Sequence, residues 1–225
     1  MLMEQERIKI VEFDKRMSLE GLCRGTAGNI SIYDPVTGYM AISPSGMDYF
    51  KTEPADIVVC DLEGNVIEGN RNPSSEYMLH TFFYKAKATE GCHSVVHTHS
   101  DYATTLASMG EPVRAVHYVI ATMGTDIIPV AEYTTFGTPE LAKLAVKTCK
   151  KGQAVLLANH GVVAFGDTIE KAFKNAGNVE SLAKTQWQCM CAGKMNVLSE
   201  EQIAEVVEKF KSYGQGTGKK ESNSY

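Results

Sequence analysis

Two histidines, His97 and His99, flank a single threonine in VVHTHS directly after an apolar run, in a chain that holds only six histidines. On a strand, residues i and i+2 project from the same face with their bases roughly 7 Å apart. Zinc takes imidazole nitrogen at about 2.0–2.1 Å, so two rings converging from that separation can share one ion. Two histidines with ordinary hydrogen bonds would leave the same letters. A third imidazole, His160 in ANHGVV, stands at the end of an apolar run and just before Gly161, where a ligand can be aimed without crowding. Glu76 in PSSE adds a carboxylate in the first turn of an expected helix, a position the helix dipole favours even without a metal. Three neutral imidazoles and one removable carboxylate make a catalytic zinc site, in which the exchangeable position serves the substrate. His80 lies four residues beyond Glu76 on the same helix face and competes for the ligand role. It ranks below His160 because no glycine opens access beside it. His93, in phase with His97 and His99, and His117, before Tyr118, read as structural histidines.

Three short segments have the make-up of anion holders. In PSSE two serines, Ser74 and Ser75, offer hydroxyls and backbone N–H groups at a helix N-terminus. GTAGNIS and SPSGM add turns in which the backbone can approach a ligand closely, with Asn29, Ser43 and Ser45 as donors. Each alone is also an ordinary turn or cap. Together they suggest a small phosphorylated substrate beside a metal.

The elements that must hold these groups follow from periodicity and punctuation. Residues 3–22 alternate apolar and charged positions as an amphipathic helix ending near Gly21. NISIYDPVTGYMAIS and ADIVVCDLEGNVIEG each read as a hairpin, turning at DPVTG and LEGN. PSSEYMLHTFFYKAKAT reads as a helix with Pro73 in its first turn and Asn72 as cap. CHSVVHTHS is strand-like, and DYATTLASMG is a helix capped at Ser100 and closed by Gly110. TPELAKLAVKTCKK reads as a helix; QAVLLAN and GVVAFG read as buried strands joined across Asn159, His160 and Gly161. From Thr168 an apolar stripe at three- and four-residue steps marks one long helix, and EEQIAEVVEKFKSYG a shorter one. The sum is one α/β layer domain over residues 1–213, with a hairpin-built, mixed and largely antiparallel sheet. The Gly-rich polar stretch 214–225 is expected to be a flexible tail.

Composition narrows the partners. A net charge of −5 offers no broad positive field for nucleic acid or an anionic membrane. The N-terminus mixes charge into every turn, unlike a signal peptide, and no run approaches the roughly 18 apolar residues of a membrane span, so the cytoplasm is expected. Six cysteines at irregular spacings, without a CxxC pair, suit reduced and mostly buried thiols. Cys189 and Cys191 fall at i and i+2 of a helix and do not face each other.

GTAGNIS, SPSGM, PSSE, HTHS and NHG, in this order and at these intervals, resemble the zinc-dependent class II aldolase and epimerase family, from residue 25 to about residue 213. The resemblance implies a central mixed sheet between helical layers and a homotetramer with active sites between subunits. It implies one Zn²⁺ per subunit on His97, His99 and His160, with Glu76 alternating between ligand and acid/base. It places the phosphate on Thr26, Asn29, Ser45, Gly46, Ser74 and Ser75. VHYVIA and TTFGT correspond to family segments that make Tyr118 a proton donor from a neighbouring subunit and Phe136 a wall for the aldehyde; Tyr213 corresponds to a tail aromatic closing over the substrate.

The motif set lies nearest to family members that reversibly cleave L-fuculose 1-phosphate to dihydroxyacetone phosphate and L-lactaldehyde. That chemistry suits the residues. Breaking C3–C4 of a ketose phosphate leaves negative charge for a Lewis acid to stabilise, and separate groups must handle the protons at C3 and at the C4 oxygen. The L-ribulose-5-phosphate 4-epimerases of the family carry aspartate at the position of Glu76 and a later HADYF-like segment, and this chain has neither. Methylthioribulose-1-phosphate dehydratases share GTAGN and HxH and are an alternative. Adducin heads resemble the fold as binding modules without the metal ligands, whereas all four ligand candidates are present here.

Overall fold

A computed structural model describes residues 1–210 and 212 of the 225-residue chain. Tyr213 and the expected tail 214–225 lie outside the described residues.

The elements run, in chain order, α1 (Glu4–Leu19), β1 (Asn29–Asp34), β2 (Tyr39–Ile42), β3 (Val58–Asp61), β4 (Val66–Glu68), α2 (Tyr77–Lys87), β5 (Ser94–Thr98) and α3 (Asp101–Met109). They continue with β6 (Val113–Arg114), β7 (Ile127–Ile128), β8 (Val130–Ala131), α4 (Pro139–Thr148), β9 (Ala154–Leu157), β10 (Gly161–Gly166), α5 (Ile169–Cys191) and α6 (Glu200–Phe210). Eight strands form one sheet in the order β4-β3-β2-β1-β5-β10-β9-β8. All neighbours are antiparallel except β8 with β9, so the sheet is mixed and largely hairpin-built, as expected. The central strands β5, β9 and β10 are buried along their whole length. Their near-continuous apolar runs follow from being covered on both faces.

One face carries α1, α3, α5 and α6, packing Ile10, Met17, Leu106, Phe173 and Val179 against Ile30, Val96, Val162 and Ala164. The other carries α2 and α4, packing Leu79, Phe83, Tyr84, Leu141 and Ala145 against Ile42, Val95, Val163 and Phe165. Each such aliphatic or aromatic side chain contributes roughly 1.5–3 kcal/mol when fully removed from water. Arg7 of α1, 1% exposed, donates to the Ile57 carbonyl and to Glu68, tying that helix to the β3–β4 edge.

Three local expectations are corrected. Helix α2 begins at Tyr77 with Glu76 as its N-cap, so neither Pro73 nor Glu76 occupies its first turn. The preceding segment is held extended against the 43–46 loop: Ser74 N–H donates to the Ser43 carbonyl, Ser45 N–H to the Asn72 carbonyl, and Pro44 bridges Pro73. Those bonds outcompete a helical turn that proline would start. Ser100 sits at the N-cap of α3, but its side chain makes no capping bond. The Glu180 carboxylate of α5 accepts from Tyr102 and Ala103 N–H in its place. Finally, β5 ends at Thr98, so His99 belongs to the following loop.

Among the described residues no helix is long and apolar enough to cross a membrane. All six cysteines are free: four are buried, Cys189 is half-buried and Cys191 is exposed.

Candidate metal centre

The site forms where three strand ends and one helix start meet. β5 delivers His97 on the sheet face that α2 covers, opposite Asn29 of β1 on one side and Val163 of β10 on the other. The chain leaves the strand at Thr98 and folds His99 back, with His99 N–H donating to the Cys23 sulfur at 3.4 Å. His160 comes from the turn between β9 and β10, where Asn159 takes the left-handed region at φ 55. Asparagine is one of the few non-glycine residues that tolerates that conformation. Glu76 enters from the N-cap of α2.

These four residues offer ligand atoms that all lie within 4.8 Å of one another. His97 Nε2 and His99 Nε2 stand 2.9 Å apart, His97 Nε2 is 3.1 Å from Glu76 Oε2, and His160 Nε2 is 3.3 Å from Glu76 Oε1. The three rings pack edge to face, with centroids 4.8, 4.8 and 4.9 Å apart. Tetrahedral ligands at zinc distances stand about 3.3 Å from each other.

Two observations test whether a cation fits. His97 Nδ1–H donates to the Val162 carbonyl at 3.0 Å, which turns the Nε2 lone pair toward the cluster, as the outer hydrogen bond of a metal-ligating histidine does. Glu76 Oε1 is buried and has no hydrogen-bond donor. A nest of facing lone pairs around an undonated carboxylate oxygen is complete only with positive charge at its centre.

The electrostatics agree. At Glu76 burial would raise the carboxyl pKa, but the neighbouring His97 and His160 and the hydrogen bond from Asn29 outweigh it and hold the group well below the usual carboxylate range. At His99 burial, then the positive charge of His97 and His160, lowers the imidazole pKa to about 3, and burial and the charge of His97 bring His160 to about 4. Burial at His97 is overcome by the Glu76 charge and by the hydrogen bond to Val162, so its pKa is raised. An ionised carboxylate facing imidazoles, two of them, His99 and His160, kept neutral by burial, is a donor set for a divalent cation.

His80 is not a member of this cluster. It is fully buried one layer behind, between Asn29 and Ser31. His93 lies at the far end of β5, in a groove with Asp34, Asp167 and Thr168. His117 Nδ1 accepts from Val119 N–H and caps a short 3-10 turn. None of the three shares the point on which the four ligand atoms converge.

Asn29 and Ser74 hydrogen-bond to Glu76, and the loop that carries Ser45 and Gly46 pairs with residues 72–74 beside them, forming one rim. Ser74 Oγ accepts Glu76 N–H, Ser75 is exposed, and Asn29 Nδ2–H donates to Glu76 Oε2 at 3.2 Å. Ser45 and Gly46 line a cavity of about 410 Å³ with Asn70, Arg71 and Asn72. Thr26 is exposed on the loop preceding β1. The TTFGT loop reaches the rim because Gly137 packs on the Ser75 carbonyl, only 3.1 Å from where a Cβ would stand. Phe136 in that loop is 64% exposed. Tyr118 is placed elsewhere within the chain, its ring stacked on His117 and on Phe210 of α6. The cluster residues that sequence reasoning passed over are Ser31 and Tyr84, whose link to the site depends on strand register.

Residues 8–187 match the Class II Aldolase and Adducin N-terminal domain model. The chain is 43% identical over 215 residues to the 5-deoxy-D-ribulose 1-phosphate aldolase of Bacillus thuringiensis serovar kurstaki, covering 96% of this chain and 100% of that one. It is 38% identical over 205 residues to the 5-methylthioribulose-1-phosphate/5-deoxyribulose-1-phosphate aldolase of Rhodospirillum rubrum, covering 91% and 90%. A solved L-fuculose 1-phosphate aldolase superposes with a TM-score of 0.88 at 40% identity, over 92% of this chain and 96% of that chain.

Proposed function

The chain belongs to the class II aldolase and adducin N-terminal domain family as an aldolase-type lyase, and we propose that it cleaves a 1-phosphorylated deoxyketose between C3 and C4 with the help of one divalent metal ion. The observation that carries this reading is the convergence of Glu76, His97, His99 and His160 on one point. Imidazole nitrogen with a carboxylate oxygen suits zinc. Such a cation, when bound, supplies Lewis-acid stabilisation of the charge that C3 acquires as the bond to C4 breaks.

In this reading the chain's own groups do the rest. Glu76 takes or returns the proton at C3. Tyr118, supplied by a neighbouring subunit of a homotetramer, handles the proton at the C4 oxygen. Thr26, Asn29, Ser45, Gly46, Ser74 and Ser75 hold the phosphate, fixing the reacting carbons against Glu76. Phe136 and Tyr213 wall off the aldehyde end.

The product common to every such substrate is dihydroxyacetone phosphate. The sequence motifs favour L-fuculose 1-phosphate, which would release L-lactaldehyde. The 43% identity to a 5-deoxy-D-ribulose 1-phosphate aldolase favours that shorter ketose, which would release acetaldehyde. Both aldehydes end in a methyl group, and we place 5-deoxyribulose 1-phosphate first. The test is to supply 5-deoxyribulose 1-phosphate, L-fuculose 1-phosphate, methylthioribulose 1-phosphate and L-ribulose 5-phosphate, each with and without a chelator. Chelator-sensitive release of dihydroxyacetone phosphate, fastest from 5-deoxyribulose 1-phosphate, is expected. Dehydration of methylthioribulose 1-phosphate or epimerisation of L-ribulose 5-phosphate as the only reaction would overturn it.

A further inference from the structure

Behind the metal centre runs a closed line of polar groups. Asn29 and Ser31 occupy alternate positions of β1 and so project from one face. Above them Glu76, His80 and Tyr84 follow one another at four-residue steps along the start and first turns of α2, sharing one side of it. The two rows interdigitate. Asn29 Nδ2 lies 3.2 Å from Glu76 Oε2, Asn29 Oδ1 2.5 Å from His80 Nε2, His80 Nδ1 2.6 Å from Ser31 Oγ, and Ser31 Oγ 2.5 Å from Tyr84 OH. Every member is at least 95% buried: Asn29 and Glu76 are 5% exposed, Tyr84 1%, and Ser31 and His80 0%.

Only one ordering of protons satisfies this line. Ionised Glu76 can only accept, so Asn29 must present its NH₂ to it and turn its carbonyl oxygen to His80. That oxygen can only accept, so His80 must carry its proton on Nε2. Its Nδ1 is then a bare acceptor, filled by the Ser31 hydroxyl, and Ser31 in turn accepts from Tyr84. Burial keeps the His80 ring neutral, with its pKa lowered to about 3, so it never offers two donors. Every bond therefore points the same way, from Tyr84 toward the carboxylate.

We propose that His80 is a positioning residue: with Ser31 and Tyr84 behind it, it locks the Asn29 amide so that its NH₂ faces Glu76 and orients that carboxylate toward the three histidines. A flipped Asn29 amide would set oxygen against oxygen at Glu76, and the His80 N–H is what forbids the flip. A conserved-volume packing role would need only shape at position 80; this one needs a donor there. The inference rests on the reading of Glu76 as a group of the active site, but it predicts a tautomer and a metal affinity that can be read without any substrate.

The direct test is a long-range proton–nitrogen correlation spectrum of the uniformly ¹⁵N-labelled, metal-stripped chain, assigned with His80→Gln. His80 is expected as the neutral Nε2–H tautomer with an exchange-protected proton. Zinc affinity, measured by competition with a chromophoric chelator, is expected to fall about 10- to 100-fold in His80→Leu, the range typical of lost outer-shell partners. His80→Gln, whose amide can donate from the position of Nε2, is expected to recover most of that loss. Tyr84→Phe removes only the outermost donor and serves should His80→Leu fail to fold; it is expected to weaken zinc binding by a smaller factor in the same direction. An Nδ1–H tautomer, or wild-type zinc affinity in both His80→Leu and Tyr84→Phe, would overturn the proposal. Absence of aldolase activity in the wild type would count against the proposed function alone.

Discussion

Gly161 lies so close to His99 that a β-carbon on it would stand 3.1 Å from the imidazole Cδ2 while overlapping the Thr98 carbonyl oxygen. The glycine of the NHG segment therefore serves packing between β5 and β10 as much as access to His160. Gly161→Ala must push His99 aside or part the strands. Overpacking of this kind costs about 1–3 kcal/mol. A lowered thermal midpoint together with weaker zinc binding is expected, checked by calorimetry and chelator competition on the same preparation.

Glu76→Gln keeps the shape at the N-cap of α2 but removes the charge and the base. Three imidazoles remain to hold the ion, so at saturating metal the variant should still take up close to one ion per chain, with an affinity lowered at least as far as in His80→Leu. Turnover should drop by a factor on the order of 10²–10⁴, the usual contribution of a positioned general base. Steady-state kinetics paired with elemental analysis separates the two effects; loss of metal and activity in equal proportion would assign Glu76 to binding alone.

Tyr118 stacks on Phe210 within its own chain, and the proposed proton transfer requires it to serve a neighbour. Tyr118→Phe and Glu76→Gln should then each be nearly inactive, yet co-refolded in equal amounts they should regain about a quarter of wild-type activity. In a cyclic assembly with random mixing, about one site in four combines a native Glu76 with a native Tyr118 from the adjacent subunit. No recovery in verified mixed oligomers would place the proton donor within one chain.

Asp14 gives the fold a pH dependence unrelated to the metal. It is wholly buried on α1, accepts a hydrogen bond from Ser43 Oγ, and leaves Oδ2 without a partner. Burial pushes its carboxyl up to about 8, against the lowering effect of the Ser43 bond. Its pKa in the unfolded chain is about 3.9. The folded state thus binds the proton more tightly, so the contribution of Asp14 to stability is full below about pH 4 and is lost as pH rises to about 8, at up to ~1.4 kcal/mol per pH unit. Relative to the wild type, Asp14→Asn should hold a constant stability difference below about pH 4 and gain progressively on it from there toward pH 8. Urea denaturation across that range checks the slope of the difference.

The part of the site that sequence alone revealed is the part fixed by short-range geometry. The HxH spacing on an apolar run placed His97 on a covered face, the glycine after His160 marked a turn from which a ligand can be aimed, and alternation around the DPVTG and LEGN turns gave β1 to β4. What stayed hidden depends on register and distant partners. Nothing local to Ser31 says that β1 pairs with β5 so that Asn29 faces His97, or that Tyr84 of α2 settles above it. The late start of α2 comes from pairing between residues 43–45 and 72–74, and the cap of α3 from Glu180, far along the chain. The exposure of Tyr118 and Phe136, 49% and 64%, is equally invisible to local periodicity.

The central claim is that His97, His99, His160 and Glu76 grip a single divalent cation. Calorimetric titration of Co²⁺ into the metal-stripped chain, followed in parallel by its visible absorption, measures this without reference to any sugar. One equivalent per chain should saturate the site and develop visible bands, and alanine at each of the three histidines should separately weaken binding and shift those bands. Failure to take up the ion, or uptake indifferent to all three substitutions, would contradict it.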